Sequence, residues 1–166
     1  MTNSIKLGKQ DIIKLPIFTD EGIDTGEYLE FDVYNISWQI NLQNLIDEDK
    51  KNKSWLKKEL IIIDKKQDVK DKDALYSRND LEKLKLAKEF MEKEIKIYNM
   101  FLGENGVQKL LNGREANPKS FEKIDKIIRE QIVPQLNEKS KPIDELIEDK
   151  YSDDPEEELL WKILHM

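Results

Sequence analysis

Cysteine is absent from the 166 residues, and histidine occurs once, as His165. The first absence removes disulfides, thiolate nucleophiles, iron–sulfur clusters and cysteine-ligated zinc from consideration. It also fits a reducing compartment. The second leaves no histidine-centred triad and no multi-histidine metal site, since a lone imidazole next to the chain end has no second to work with. Long apolar runs are missing too. The longest is Leu60-Ile61-Ile62-Ile63, far short of the about 20 residues that a membrane-spanning helix needs. Met1 leads into Thr2-Asn3-Ser4 with neither a basic start nor an apolar stretch, so no secretory leader and no membrane partner are expected.

What is present is charge. Apolar and charged residues each make up 38% of the chain, enough apolar material for one small core and too little for two. Lysine far outnumbers arginine, a bias that an AT-rich genome explains, so it gives little reason to expect nucleic-acid binding. The location of the charge says more. Residues 141–158 hold nine acids and two lysines, a net −7, which is the formal charge of the whole chain. A near-neutral body with an acidic tail repels nucleic acid and anionic membranes and suits a basic or amphipathic protein partner. The chain therefore divides into a body, residues 1–137, and a tail, residues 138–166.

The body is expected to be α+β and mainly helical. Residues 11–18 are rich in β-branched side chains, and Pro16, lacking an N–H, marks an edge strand. Residues 27–33 place Leu29, Phe31 and Val33 on one face with period two, so a small N-terminal β-hairpin should form and need helices behind it. Asn35 can cap a helix holding Ile36, Ile40, Leu42, Leu45 and Ile46, ending in the charges of residues 47–53. Ser54 offers a second cap, for a helix over residues 55–66 with Leu56, Leu60 and Ile63 on one stripe. Residues 67–79 show no period and are expected to form a mobile connection.

Asp80 then caps the helix with the clearest period, through Leu84, Ala87, Met91, Ile95, Tyr98 and Leu102, stopped by Gly103. A short helix over residues 107–111 closes on Asn112-Gly113. Asn117-Pro118 opens another with Phe121, Ile124, Ile127, Ile128 and Ile132, which Pro134 should end. Leu84, Met91, Ile95, Tyr98, Phe121, Ile124 and Ile128 should be buried together. In the tail, Asp154-Pro155 opens a short helix with Glu156, Glu157 and Glu158 in its first turn.

A search for reaction chemistry returns little. Glu48-Asp49-Lys50 and Glu94-Ile95-Lys96 echo a metal-nuclease triplet, but both fall on expected helices, whereas that signature sits on a strand. Asp47-Glu48-Asp49 and Asp71-Lys72-Asp73 lack the glycine and closing glutamate of a calcium loop. Gly103-Glu104-Asn105-Gly106 lacks the lysine and hydroxyl ending of a phosphate loop. No catalytic, metal-ligating or cofactor-binding residue stands out, and a non-enzymatic role is expected.

One segment carries a resemblance. Tyr98-Asn99-Met100-Phe101-Leu102 and Gly103-Glu104-Asn105-Gly106 lead into Val107-Gln108-Lys109-Leu110-Leu111-Asn112-Gly113-Arg114 and then the Asn117-Pro118 helix. This resembles the tail assembly chaperones of long-tailed phages and related prophage tail particles, in which an aromatic helix end meets a phenylalanine-glycine-glutamate-glycine turn. A short helix, a phenylalanine-glycine and a closing helix follow. Here Leu102 stands at the second aromatic, Asn105 separates Glu104 from Gly106, and Leu111-Asn112 precedes the retained Gly113-Arg114. The resemblance spans roughly residues 11–137.

It implies a scaffold protein of the bacterial host cytoplasm, absent from the finished tail, that binds the tape-measure protein and helps recruit tail-tube subunits. A homo-oligomer stays open. Gly103, Glu104, Gly106, Gly113 and Arg114 form the structural motif, the glycines standing at helix ends where positive φ favours them. Leu159, Leu160, Trp161, Ile163 and Leu164 in the tail form a candidate partner-binding anchor. An alternative is an acidic inhibitor or immunity-type protein that blocks a basic target through charge.

Overall fold

A computed structural model describes residues 12–33 and 35–139. The chain runs through two strands and four α-helices: β1 (Ile12–Phe18), β2 (Asp24–Asp32), α1 (Ser37–Asp64), α2 (Arg78–Leu102), α3 (Gly106–Leu110) and α4 (Pro118–Ile127). A π-helical segment, Ile128–Ile132, follows α4, and residues 133–139 continue as helix. The protein is therefore mainly helical with an N-terminal hairpin, as its sequence pattern indicates.

β1 and β2 pair antiparallel, with Ile13 opposite Phe31 and Leu15 opposite Leu29, and a register shift between Pro16 and Phe18. The turn is held by Thr19, whose hydroxyl accepts the Ile23 N–H at 3.1 Å, while its carbonyl accepts the Gly22 N–H. Leu29, Phe31 and Val33 are buried and Ile13, Leu15 and Ile17 half-buried against the same core, while Lys14 and Glu30 pair on the wet face. A two-stranded hairpin is marginal alone. Here it rests on helices, with the Phe31 ring 5.3 Å from that of Phe101 on α2.

α1 is one helix, not two. Residues 47–53 contain neither glycine nor proline, and their charges are satisfied along the helix. Lys51 pairs with Glu48 and Lys53 with Asp49, each at 2.7 Å, and the Gln43 amide donates to Asp47 at 3.0 Å. Such i,i+3 and i,i+4 pairs favour helix, so the cluster is a helix flank and Ser54 lies inside it rather than capping a second helix. Asn35 is not the cap of this helix either: Ile36 holds that position without a side-chain bond, and Asn35, one residue earlier, accepts the Ser37 N–H at 2.9 Å. With 28 residues, α1 is about 42 Å long.

α1 and α2 form an antiparallel pair. Asn52 meets Glu94, Asp64 meets Lys83, and Lys66 meets Glu82. The connection between them is tied down rather than loose. The Asp68 carboxylate accepts the Asn79 N–H at 3.0 Å, which leads the causes holding its pKa below the ordinary carboxylate value. The Asn79 amide in turn donates to the Ile63 and Lys66 carbonyls. Ser77, not Asp80, caps α2: its hydroxyl accepts the Asp80 N–H at 3.1 Å, and Asp80 sits in the first turn.

The buried face of α2 also departs from expectation. It runs through Leu86, Glu94, Ile97, Tyr98, Phe101 and Leu102, whereas Leu84 is 52% exposed. Ala87 is exposed too. A buried glutamate stands at the centre of the face that packs on α1, so a stripe drawn through apolar residues alone is rotated away from it. Tyr98, Phe121, Ile124 and Ile128 are buried together as expected, with Met91 and Ile95 half-buried against them.

Asn117 caps α4 with a reciprocal capping box to Ser120 and proline in the first turn. Pro134 does not end the helix. The Val133 N–H reaches the Ile128 carbonyl, five residues back, and this wider turn accommodates a residue that has no N–H to give and a ring that crowds the preceding turn. Ile132 and Leu136 consequently stay on the buried face begun by Phe121, Ile124 and Ile128.

Candidate functional site

The segment Gly103–Arg114 is a joint between α2, α3 and β2. Gly103 ends α2 at φ 88°, with its N–H on the Asn99 carbonyl at 2.9 Å. This φ suits glycine. Gly106 differs from the expectation of a positive-φ position. It starts α3, and a Cβ there would collide with the Cβ of Leu102, so it serves close approach. Asn105 takes the left-handed conformation instead, at φ 56°, and Asn112 and Gly113 do so after α3. The Gly113 N–H closes that end on the Gln108 carbonyl at 3.1 Å.

Asn99, not singled out from the sequence, stitches the joint. Its side-chain oxygen accepts the Val107 N–H at 2.9 Å, and its amide donates to Gln108 at 3.3 Å. Val107 is fully buried. Lys109 reaches across to donate to the Tyr28 carbonyl on β2 at 3.3 Å. Glu104 and Arg114 are exposed. The joint thus fixes where α3 and α4 depart from α2, and among the described residues its partners are backbone groups and side chains of the body.

A second cluster lies at the α1–α2 contact. Glu94 is 1% exposed and accepts from the Asn52 amide at 2.6 Å, while the same amide lies 3.4 Å from the Phe90 carbonyl. The Asp49 carboxyl lies close enough to act on Glu94 through hydrogen bonding and charge. Asp49 Oδ2 receives Lys53 at 2.7 Å, but Oδ1 is buried with no donor facing it among the described residues. Alongside, the Tyr98 hydroxyl donates to Asp125 of α4 at 2.6 Å.

Burial pushes the Glu94 carboxyl up to about 7, Asp49 adds to the rise, and Asn52 and Lys53 oppose it. Burial and the Asp125 hydrogen bond raise the Tyr98 phenol as well. For Lys53, burial acts to lower the pKa, but the hydrogen bond it donates to Asp49 and the surrounding carboxylates leave it raised. In the sequence Asp49 and Glu94 stand out only within short charged triplets that lie on helices, and Tyr98 only as a core and motif position; nothing there joins the three.

At the far end of the α1–α2 pair the surface is apolar in places. Ile61 and Ile62 of α1, Val69, Leu75 and Tyr76 of the connection, and Leu81 and Leu84 of α2 are between 45% and 78% exposed. Among the described residues, no group of three or more histidine, cysteine, aspartate or glutamate side chains is placed to hold a metal ion. No helix there is long and apolar enough to cross a membrane. Leu159, Leu160, Trp161, Ile163 and Leu164 lie outside the described residues, as does the rest of the acidic tail from residue 140. Comparison with protein-family models, curated proteins and solved structures finds no match to this chain.

Proposed function

We propose that this protein is a non-enzymatic assembly chaperone that binds the tape-measure protein of a long-tailed phage or prophage tail and helps recruit tail-tube subunits. The support is the Gly103–Arg114 segment, whose family-like pattern coincides with a joint that sets the directions of three helices. Exposed Leu75, Leu81 and Leu84 at the distal end of the helical pair offer apolar contacts of the kind a long amphipathic helix seeks. The acidic tail keeps such a complex soluble and favours a basic partner. On this reading the protein acts in the host cytoplasm and leaves before the tail is finished.

Co-expression with overlapping fragments of the neighbouring tape-measure gene tests it. The proposal requires stable capture of at least one long helical fragment, reduced by Leu159→Ser with Trp161→Ser in the tail. Failure to retain any fragment, while a basic toxin-like neighbour is bound and inactivated, would favour the acidic-inhibitor reading that the −7 charge of residues 141–158 also supports.

A further inference from the structure

Two carboxyls, Asp49 and Glu94, meet across the α1–α2 contact, and one of them is almost completely buried. Two anionic carboxylates brought this close repel, and among the described residues no donor faces Asp49 Oδ1. A proton on Glu94 resolves both problems, since the acid then donates to Asp49 while its other oxygen keeps the Asn52 amide. We infer that Asp49 and Glu94 share one proton, and that this proton is a latch holding the junction of α1, α2 and α4 closed.

The groups facing the pair give the latch its direction. From α1 come Asp49, Lys53 and the neutral Asn52. From α2 come Glu94 itself and the Tyr98 hydroxyl, and from α4 comes Asp125, which Tyr98 binds. One cation stands among three carboxyl groups. With the proton in place the cluster carries one net negative charge; without it, two. Loss of the proton therefore adds an uncompensated charge one helical turn before Tyr98, the residue that holds α4 through its ring contact with Phe121, at 5.2 Å, and through the Asp125 hydrogen bond.

The sign follows from linkage. An ordinary carboxyl in the unfolded chain titrates near 4.5, whereas Glu94 in the folded protein titrates at about 7. Between these values the folded state holds a proton that the unfolded state has lost, so stability is greatest at the acidic end and falls as pH rises. Above about 7 the contribution is gone. Within this window the body has a proton-dependent means of loosening α4 and baring its apolar cluster.

Thermal melts of the full chain between pH 5.5 and 8.0 test the latch, with His165→Gln as background because His165 is the only histidine. The melting temperature should fall by about 4–8 °C across that range, given about 2–4 °C per kcal/mol for a chain of this size. Glu94→Gln, which can donate to Asp49 and accept from Asn52 at any pH, should flatten the profile and melt at or above the parent at pH 8.0. If Glu94→Gln fails to fold, the parent still decides the matter. An infrared band of a protonated carboxyl should be present at pH 5.5 and disappear with a midpoint near 7. A flat parent profile, an unchanged slope in Glu94→Gln, or no such band would overturn the inference.

Discussion

The two ends of the α1–α2 pair are built differently. At the end carrying Trp38, Leu45, Phe101 and Leu102, the helices are covered by the β-hairpin, α3 and α4, and the apolar side chains form one continuous cluster. At the other end Leu86 and Ile63 are buried outside that cluster, and the helices are joined by the Lys66–Glu82 and Lys83–Asp64 pairs and the Asn79 bonds. Exposed ion pairs contribute about 0–1 kcal/mol each, against about 1.5–3 kcal/mol for a large apolar side chain fully buried. Stability is therefore concentrated at the first end. The second, cheaper to rearrange, is where Leu75, Leu81 and Leu84 remain open to a partner.

The sharpest break in this comparison is Ile124→Ala. Ile124 is 1% exposed and sits where α4 meets the rest of the cluster, so a loss of about 2–5 kcal/mol is expected in urea unfolding. A loss under about 1 kcal/mol would mean that α4 is not part of the cooperative core.

Gly106→Ala comes next. The added methyl must displace Leu102, which is itself buried in the cluster, at an expected cost of about 1–3 kcal/mol. Partner capture should weaken in proportion to the folded fraction. Intact stability with abolished capture would instead make the joint a binding surface.

The smallest effect should come from Leu84→Ser at the open end. With 52% of Leu84 exposed, the change in stability should stay within about 0.5 kcal/mol, while capture of a tape-measure fragment is reduced. A large loss of stability would show that the open end is held by packing after all.

The hairpin, α3 and α4 were legible in the sequence because each announces itself locally. Leu29, Phe31 and Val33 alternate, Asn117-Pro118 opens a helix, and Gly103 and Gly113 close two others. The π-helical segment was not, because Pro134 reads as a stop unless the preceding turn widens to leave its ring room. The connection over residues 67–79 was legible as a connection, but the hydrogen bonds that tie it down were not, nor was the start of α2 already at Arg78. Asp68 and Asn79 look like solvated polar residues until the two helices bring them within hydrogen-bond reach.

The largest error in register concerned α2, and it has one cause. Hydrophobic periodicity counts apolar residues, and the middle of the buried face is Glu94. A carboxyl can occupy such a position when it is protonated or paired, and nothing local in Glu94-Ile95-Lys96 reveals the Asn52 and Asp49 partners 42 and 45 positions earlier. The same gap hid the candidate latch. Long-range polar pairing leaves no period behind.

The central claim is that a self-sufficient body, closed around the Tyr98–Phe121 contact, carries a tail whose work is done on another protein. Deleting residues 138–166 tests it most directly, with melting and partner capture measured on the same preparation. The account predicts a cooperative melt close to that of the full chain together with clearly weaker capture of the tape-measure fragment. A truncated body without a cooperative transition would make the tail part of the core and contradict the division of labour proposed for this chain.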